Sequence, residues 1–182
     1  MHLSLKKFLK KEKELVKDIE KELSSRHLKG FLLLFTELGS SLTASIFLVI
    51  YGFLFDFKAM IFIASIYYFQ LIIVELIKLL VKRQRPENHE ANGVLKLKFT
   101  SGSFPSGHTS NVFTLAFLFS NYYLLGIIPT TILFSLAGLV ALSRIVLGKH
   151  YIGDVTGGAI IGILLSFAGA TIATQLAPFL SF

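Results

Sequence analysis

Residues 99–143 read FTSGSFPSGHTSNVFTLAFLFSNYYLLGIIPTTILFSLAGLVALS, without one Lys, Arg, Asp or Glu. A soluble helix keeps a polar face for water. A membrane span needs about 20 mostly apolar residues, and this stretch has room for two. No charged residue follows Asp154 either. Working outward, the spacing predicts five spans, at residues 30–55, 59–80, 107–125, 127–146 and 153–176. A polar Thr36-Glu37-Leu38-Gly39-Ser40 patch lies in the first. Residues 81–106 form a loop, marked by Pro86, Asn88, Asn92-Gly93 and Pro105. The fold class expected is all-α: a polytopic membrane helical bundle of about five transmembrane helices plus an N-terminal amphipathic interfacial helix.

That helix covers residues 1–28. Leu5, Phe8, Leu15, Ile19 and Leu23 recur at helical spacing among many lysines, as in a helix lying on a membrane surface. Residues 29–182 are expected to form one transmembrane domain. The chain has 182 residues, 53% of them hydrophobic, and a net charge of +7. The positive charge sits beside membrane segments, so anionic lipid heads explain it better than nucleic acid does. There is no cysteine, which excludes disulfides and Cys-based zinc sites. There is no tryptophan, so an interfacial aromatic belt must come from Tyr and Phe. Gly153, Gly157, Gly158 and Gly162 in the last span point to close helix packing within the monomer rather than dimerisation. The oligomeric state is left open.

Charge is costly in hydrocarbon, so polar residues at span ends are functional candidates. Lys78, Lys82, Arg83 and Arg85 end the second span. Ser106, Gly107 and His108 open the third. Arg144 ends the fourth, and His150 and Asp154 lead into the fifth. Alternating span direction places all of them on one side of the membrane. Lys78, Arg85 and Arg144 can surround an oxyanion, and arginine's planar fork suits phosphate. A helix starting at Gly107 offers free N–H groups to an anion, and Ser106 adds a hydroxyl. His150 and Asp154 share a helical face, so the carboxylate can set the tautomer of a nucleophile or base. His108 is placed to donate a proton. Glu75 either pairs with Lys78 or satisfies a neighbouring helix. Glu37, Gln70 and Asn111 are expected as interhelical hydrogen-bond partners. Lys82, Arg83, Lys96 and Lys98 are expected at lipid heads, and His2, His27 and His89 in solvent.

Three clusters together resemble the signatures of the type 2 phosphatidic acid phosphatase superfamily. They are Lys78 followed after six residues by Arg85-Pro86, then Pro105-Ser106-Gly107-His108, then Ser143-Arg144 with His150 and Asp154. The resemblance implies a metal-free membrane lipid phosphatase that needs no cofactor. It implies His150 as nucleophile, Asp154 orienting it and His108 as general acid. Lys78, Arg85, Ser106, Gly107 and Arg144 would bind the phosphate. Substrates implied are lipid A 1-phosphate, undecaprenyl diphosphate, phosphatidylglycerol phosphate and phosphatidic acid. The partners are such lipids and the bilayer, with no nucleic acid.

Many bacterial members of this kind have six spans, whereas five are counted here. Five spans put seventeen of the eighteen Lys and Arg residues on the site's side, with Lys58 alone opposite. The positive-inside rule would then face the site to the cytoplasm. At least five of those charges stand where phosphate or lipid heads bind. The resemblance implies an outward, periplasmic site in a bacterial inner membrane. Other readings are a lipid phosphotransferase with the same residues, a non-catalytic lipid-binding or transport protein, and a vanadate-dependent haloperoxidase.

Overall fold

The computed structural model describes residues 2–23, 25–86 and 102–176. The side chains of residues 2–6 and 8, Leu5 and Phe8 among them, lie outside that description, as do Asn88, His89, Asn92, Gly93, Lys96 and Lys98. Seven helices and no strand occur among the described residues. They are α1 (His2–Glu22), α2 (Arg26–Glu37), α3 (Ser41–Leu54), α4 (Phe57–Val81), α5 (Gly107–Tyr122), α6 (Ile127–Val146) and α7 (Ile152–Leu176). The chain is a membrane helical bundle, with large apolar side chains such as Leu80, Leu164 and Phe167 facing outward.

The expected first span is two helices. α2 and α3 meet at a bend of 54° across residues 38–40. Gly39 is at the elbow because a Cβ there would lie 2.9 Å from both the Cβ of His108 and Val140. Ser40 then caps α3 by accepting from the Thr43 N–H at 3.2 Å. Among the described residues three helices are long and apolar enough to cross a membrane, Phe57–Val81, Ile127–Val146 and Ile152–Gln175, and a fourth is counted if the bent pair is one span. The remaining expected segment, α5, has 16 residues. At 1.5 Å per residue it is about 24 Å long, short of a hydrocarbon core of about 30 Å. Its first turn is polar because it sits in the site.

α5 is the central helix and packs on α7, α6 and α4. The α5–α7 seam explains the glycine spacing within the monomer. A Cβ on Gly158 would lie 2.6 Å from the Ser106 carbonyl oxygen, and one on Gly162 would lie 2.7 Å from that of Ser110. Gln70 donates to Ser110 Oγ at 2.5 Å, and Asn111 donates to the Gly39 carbonyl at 3.0 Å. These are the cross-helix bonds expected of both residues. Leu48, Ile63, Tyr67 and Leu118 fill the core near the far end.

At that far end Tyr51 donates to Tyr123 at 2.5 Å, and Tyr123 donates to Asp56 Oδ2 at 2.9 Å. Asp56 also caps α4 through the Ala59 N–H at 2.9 Å. That bond, with the Tyr123 hydroxyl, holds the Asp56 carboxyl below the usual range.

α1 docks against α6. Its inward line runs through buried Glu12 and Val16 and half-buried Ile19, while Leu15 and Leu23 of the expected apolar stripe are exposed. Gly162→Ala should overpack the α5–α7 seam and cost about 1–3 kcal/mol. Thermal unfolding in detergent reads this out, and an unchanged midpoint would contradict the seam.

Candidate active site

Four helix ends meet at the other end of the bundle. Lys82 terminates α4 in a left-handed conformation, φ 47°. The chain returns at Gly102, where a Cβ would lie 2.9 Å from the Lys78 carbonyl oxygen. The Ser103 N–H donates to the Arg83 carbonyl at 2.7 Å. This stitch carries residues 103–106 across the end of α4 and into α5.

Ser106 is the buried N-cap of α5. Its N–H donates to the Asp154 carbonyl at 2.9 Å. Its Oγ accepts from Thr109 Oγ1 at 3.0 Å and retains its own proton to donate. Gly107 follows, and a Cβ there would lie 3.0 Å from Lys78 Nζ. The buried ammonium therefore stands beside the open N-terminal turn of α5. Glu75 pairs with Lys78 at 2.5 Å, which resolves its two readings in favour of the ion pair.

Arg144 is buried at the end of α6. Its Nη1 donates to Thr36 Oγ1 at 2.9 Å, and its Nε has no hydrogen-bond partner among the described residues. Glu37, exposed beside the elbow, acts on Arg144 electrostatically. Arg85 is exposed and acts on both Arg144 and His150. His108 lies in the field of Arg144, His150, Lys78 and Arg85. The expected cations and histidines thus share one place.

His150 occupies the turn between α6 and α7 and is buried. Its Nδ1 is 2.9 Å from the Ser103 carbonyl oxygen and 3.6 Å from Asp154 Oδ2. The nearer partner is a backbone carbonyl, not the carboxylate expected. With Nδ1–H donated there, Nε2 carries the free lone pair. Burial pushes the imidazole below its ordinary value of 6.5. Asp154 opposes that shift, and Arg144 and Arg85 reinforce it.

Asp154 is fully buried. Its Oδ1 accepts from Arg83 Nη1 at 2.8 Å. Its Oδ2 accepts from Ser103 Oγ and from the Tyr151 N–H, the latter at 2.9 Å. Arg83 was expected at lipid heads. It turns inward instead, lies 4.2 Å from the centre of the Tyr151 ring, and pairs with both Asp154 and Glu12. A buried carboxylate demands such a partner, and Arg83 meets it. Sequence reasoning therefore missed Arg83, Ser103, Thr36 and Glu12. One signal was available, since Glu12 interrupts the apolar stripe of α1 four residues after Phe8. His27 is exposed, as expected.

A bundle of membrane helices that gathers two histidines, a carboxylate and several cations at one end defines a class, the helical membrane proteins with a site of charged and histidine side chains at one end. The comparisons place the chain within that class. Residues 58–177 match the PAP2 superfamily, and the chain belongs to that family. It is 31% identical to "Probable lipid phosphate phosphatase beta" of Arabidopsis thaliana over 121 residues, which are 53% of this chain and 57% of that protein. The match therefore spans little more than half of that relative's length. Aquifex aeolicus LpxE superposes with a TM-score of 0.71 at 28% identity, covering 87% of this chain and 93% of that one. The PAP2-type phosphatidylglycerolphosphate phosphatase of Bacillus subtilis superposes with a TM-score of 0.75 at 22% identity, covering 93% of this chain and 87% of that one. The fold is that of membrane PAP2 phosphatases.

Thr36→Val keeps the volume but leaves Arg144 Nη1 without its acceptor. An unsatisfied buried donor costs about 1–3 kcal/mol. The unfolding midpoint should fall accordingly, and a wild-type midpoint would show the bond to be dispensable.

Proposed function

We propose that this chain is a membrane-embedded phosphatase that hydrolyses the phosphate or diphosphate end of a lipid through a phosphohistidine. The observation that carries the reading is the placement of His150. Its Nδ1 is fixed by the Ser103 carbonyl, so Nε2 is the nucleophile, in a cluster with Arg85, Arg144 and His108. Nε2 attacks phosphorus while the bond from phosphorus to the lipid oxygen breaks. His108 gives its proton to that leaving oxygen. Water, deprotonated by His108, then attacks the phosphohistidine and releases phosphate. Asp154 acts behind His150 as its electrostatic support. Lys78, Arg85 and Arg144, with Ser106 and the N–H of Gly107, hold the phosphoryl oxygens. Positioning and charge neutralisation are the main demands of phosphoryl transfer, and this set supplies both.

No metal or cofactor is assigned a step. The candidate substrates are lipid A 1-phosphate, undecaprenyl diphosphate, phosphatidylglycerol phosphate and phosphatidic acid. The acyl or prenyl chains lie between helices and the head reaches the cations. Residues 1–28, which carry the interfacial helix α1 and the first residues of α2, precede a phosphatase domain of residues 29–182. Lys82, exposed at the end of α4, faces lipid heads. The site faces outward, on the periplasmic side of a bacterial inner membrane.

The test is phosphate release by the purified protein in detergent with excess EDTA, across the four lipids and a soluble phosphate ester. Release from at least one lipid is expected. A folded protein that releases none, or moves phosphate only to an added lipid acceptor, would remove the hydrolase reading. His150→Ala should lower kcat by at least about a thousandfold, and retained turnover would show that another group attacks. The pH profile of kcat/KM should be bell-shaped, since His150 reacts neutral and His108 protonated. Because the His150 pKa is lowered, its neutral form persists as pH falls through 6.5, and the acid limb should lie below that value. An acid limb above 6.5 would contradict the assignment.

A further inference from the structure

An acidic side chain in the buried line of a lysine-rich helix is out of place unless a partner meets it. Glu12 is buried on α1, and both its oxygens are engaged. Oε2 accepts from Arg83 Nη2 at 2.6 Å, and Oε1 accepts from the Gly153 N–H at 2.7 Å. The other arm of Arg83 holds Asp154 at 2.8 Å. A Cβ on Gly153 would lie 3.1 Å from Glu12 Oε1, so glycine leaves the space that the carboxylate occupies. Val16 is buried, and Ile19 packs on Leu32, Val146 and Leu147, which seats the helix. Glu12 thus touches the group that binds Asp154 and the residue next to Asp154.

We propose that Glu12 is a positioning residue, and that α1, docked on the bundle, holds the Arg83 fork and the first turn of α7 so that Asp154 stays set behind His150. The inference deepens the proposed function and rests on its assignment of His150 and Asp154. Arg83 shares its charge between two carboxylates. Without Glu12 the fork is held at one end only, and Asp154 follows it. The role of α1 then extends beyond anchoring: turnover depends on its seat.

The experiment is a double-mutant cycle on phosphate release from the four panel lipids in detergent. Glu12→Gln keeps the volume and an acceptor for the Gly153 N–H while removing the charge opposite Arg83. We expect kcat to fall roughly 10- to 100-fold, the scale of a misplaced reacting group, with KM within about twofold. In an Arg83→Gln background the same change should cause no further loss, because the two residues act as one unit. If Glu12→Gln does not fold, Glu12→Asp serves the same cycle, since a side chain one methylene shorter cannot span both partners. Wild-type kcat in the Glu12 variant, with His150→Ala inactive, would overturn the inference and leave the proposed function standing. Losses that multiply in the double variant would also overturn it, since Glu12 would then act by a route other than Arg83. A His150→Ala enzyme that still turns over would remove both.

Discussion

A carboxylate taken out of water must find its partners inside the protein. Asp154 is fully buried, and the segments that partner it define one end of the bundle. Arg83 reaches it from the end of α4, Ser103 from the returning chain and the Tyr151 N–H from the turn before α7. Its own carbonyl accepts the N–H of Ser106, the cap of α5. One residue therefore ties the ends of α4, α5 and α7 together. His150 enters this arrangement through the carbonyl of the same Ser103. Loss of any strand of the knot would leave a buried charge underpaired.

Around that buried carboxylate the structure gathers Lys78, Arg83, Arg85 and Arg144. Like charges in one field repel, and such an arrangement is tolerated when the protein is built to bind an anion. Glu75 and Glu12 each offset one cation from the flank, while Arg144 keeps an Nε without a partner among the described residues. The balance leaves positive potential near the N-terminus of α5, where N–H groups and the helix dipole add to it.

The helices from α4 to α7 were legible because their signal is local: long apolar runs, separated by a charged loop with Pro86 and Pro105. The grouping of Lys78, His108, Arg144, His150 and Asp154 was legible because alternating spans bring alternate ends together. The elbow between α2 and α3 was not. Its cause is the closeness of His108 and Val140, far along the chain, and Gly39 alone carries no such message. Arg83 was misread because four cations stand in or just after the last turn of α4, and the left-handed turn at Lys82 that redirects the chain before Arg83 has no sequence signal. The carbonyl that holds His150 leaves no mark in a sequence, since every residue has one.

The tyrosine cluster at the far end bears on where the opposite end comes to rest. α4 has 25 residues and links the two. From Asp56 to Lys78 it rises about 33 Å at 1.5 Å per residue, slightly more than the roughly 30 Å of hydrocarbon in a bilayer. Tyr51, Tyr123 and Asp56 carry polar groups suited to one membrane–water boundary. Moored there, α4 acts as a ruler, and its tip emerges where the opposite leaflet's head groups begin. Lys78 then lies at about the depth where that leaflet's head groups begin.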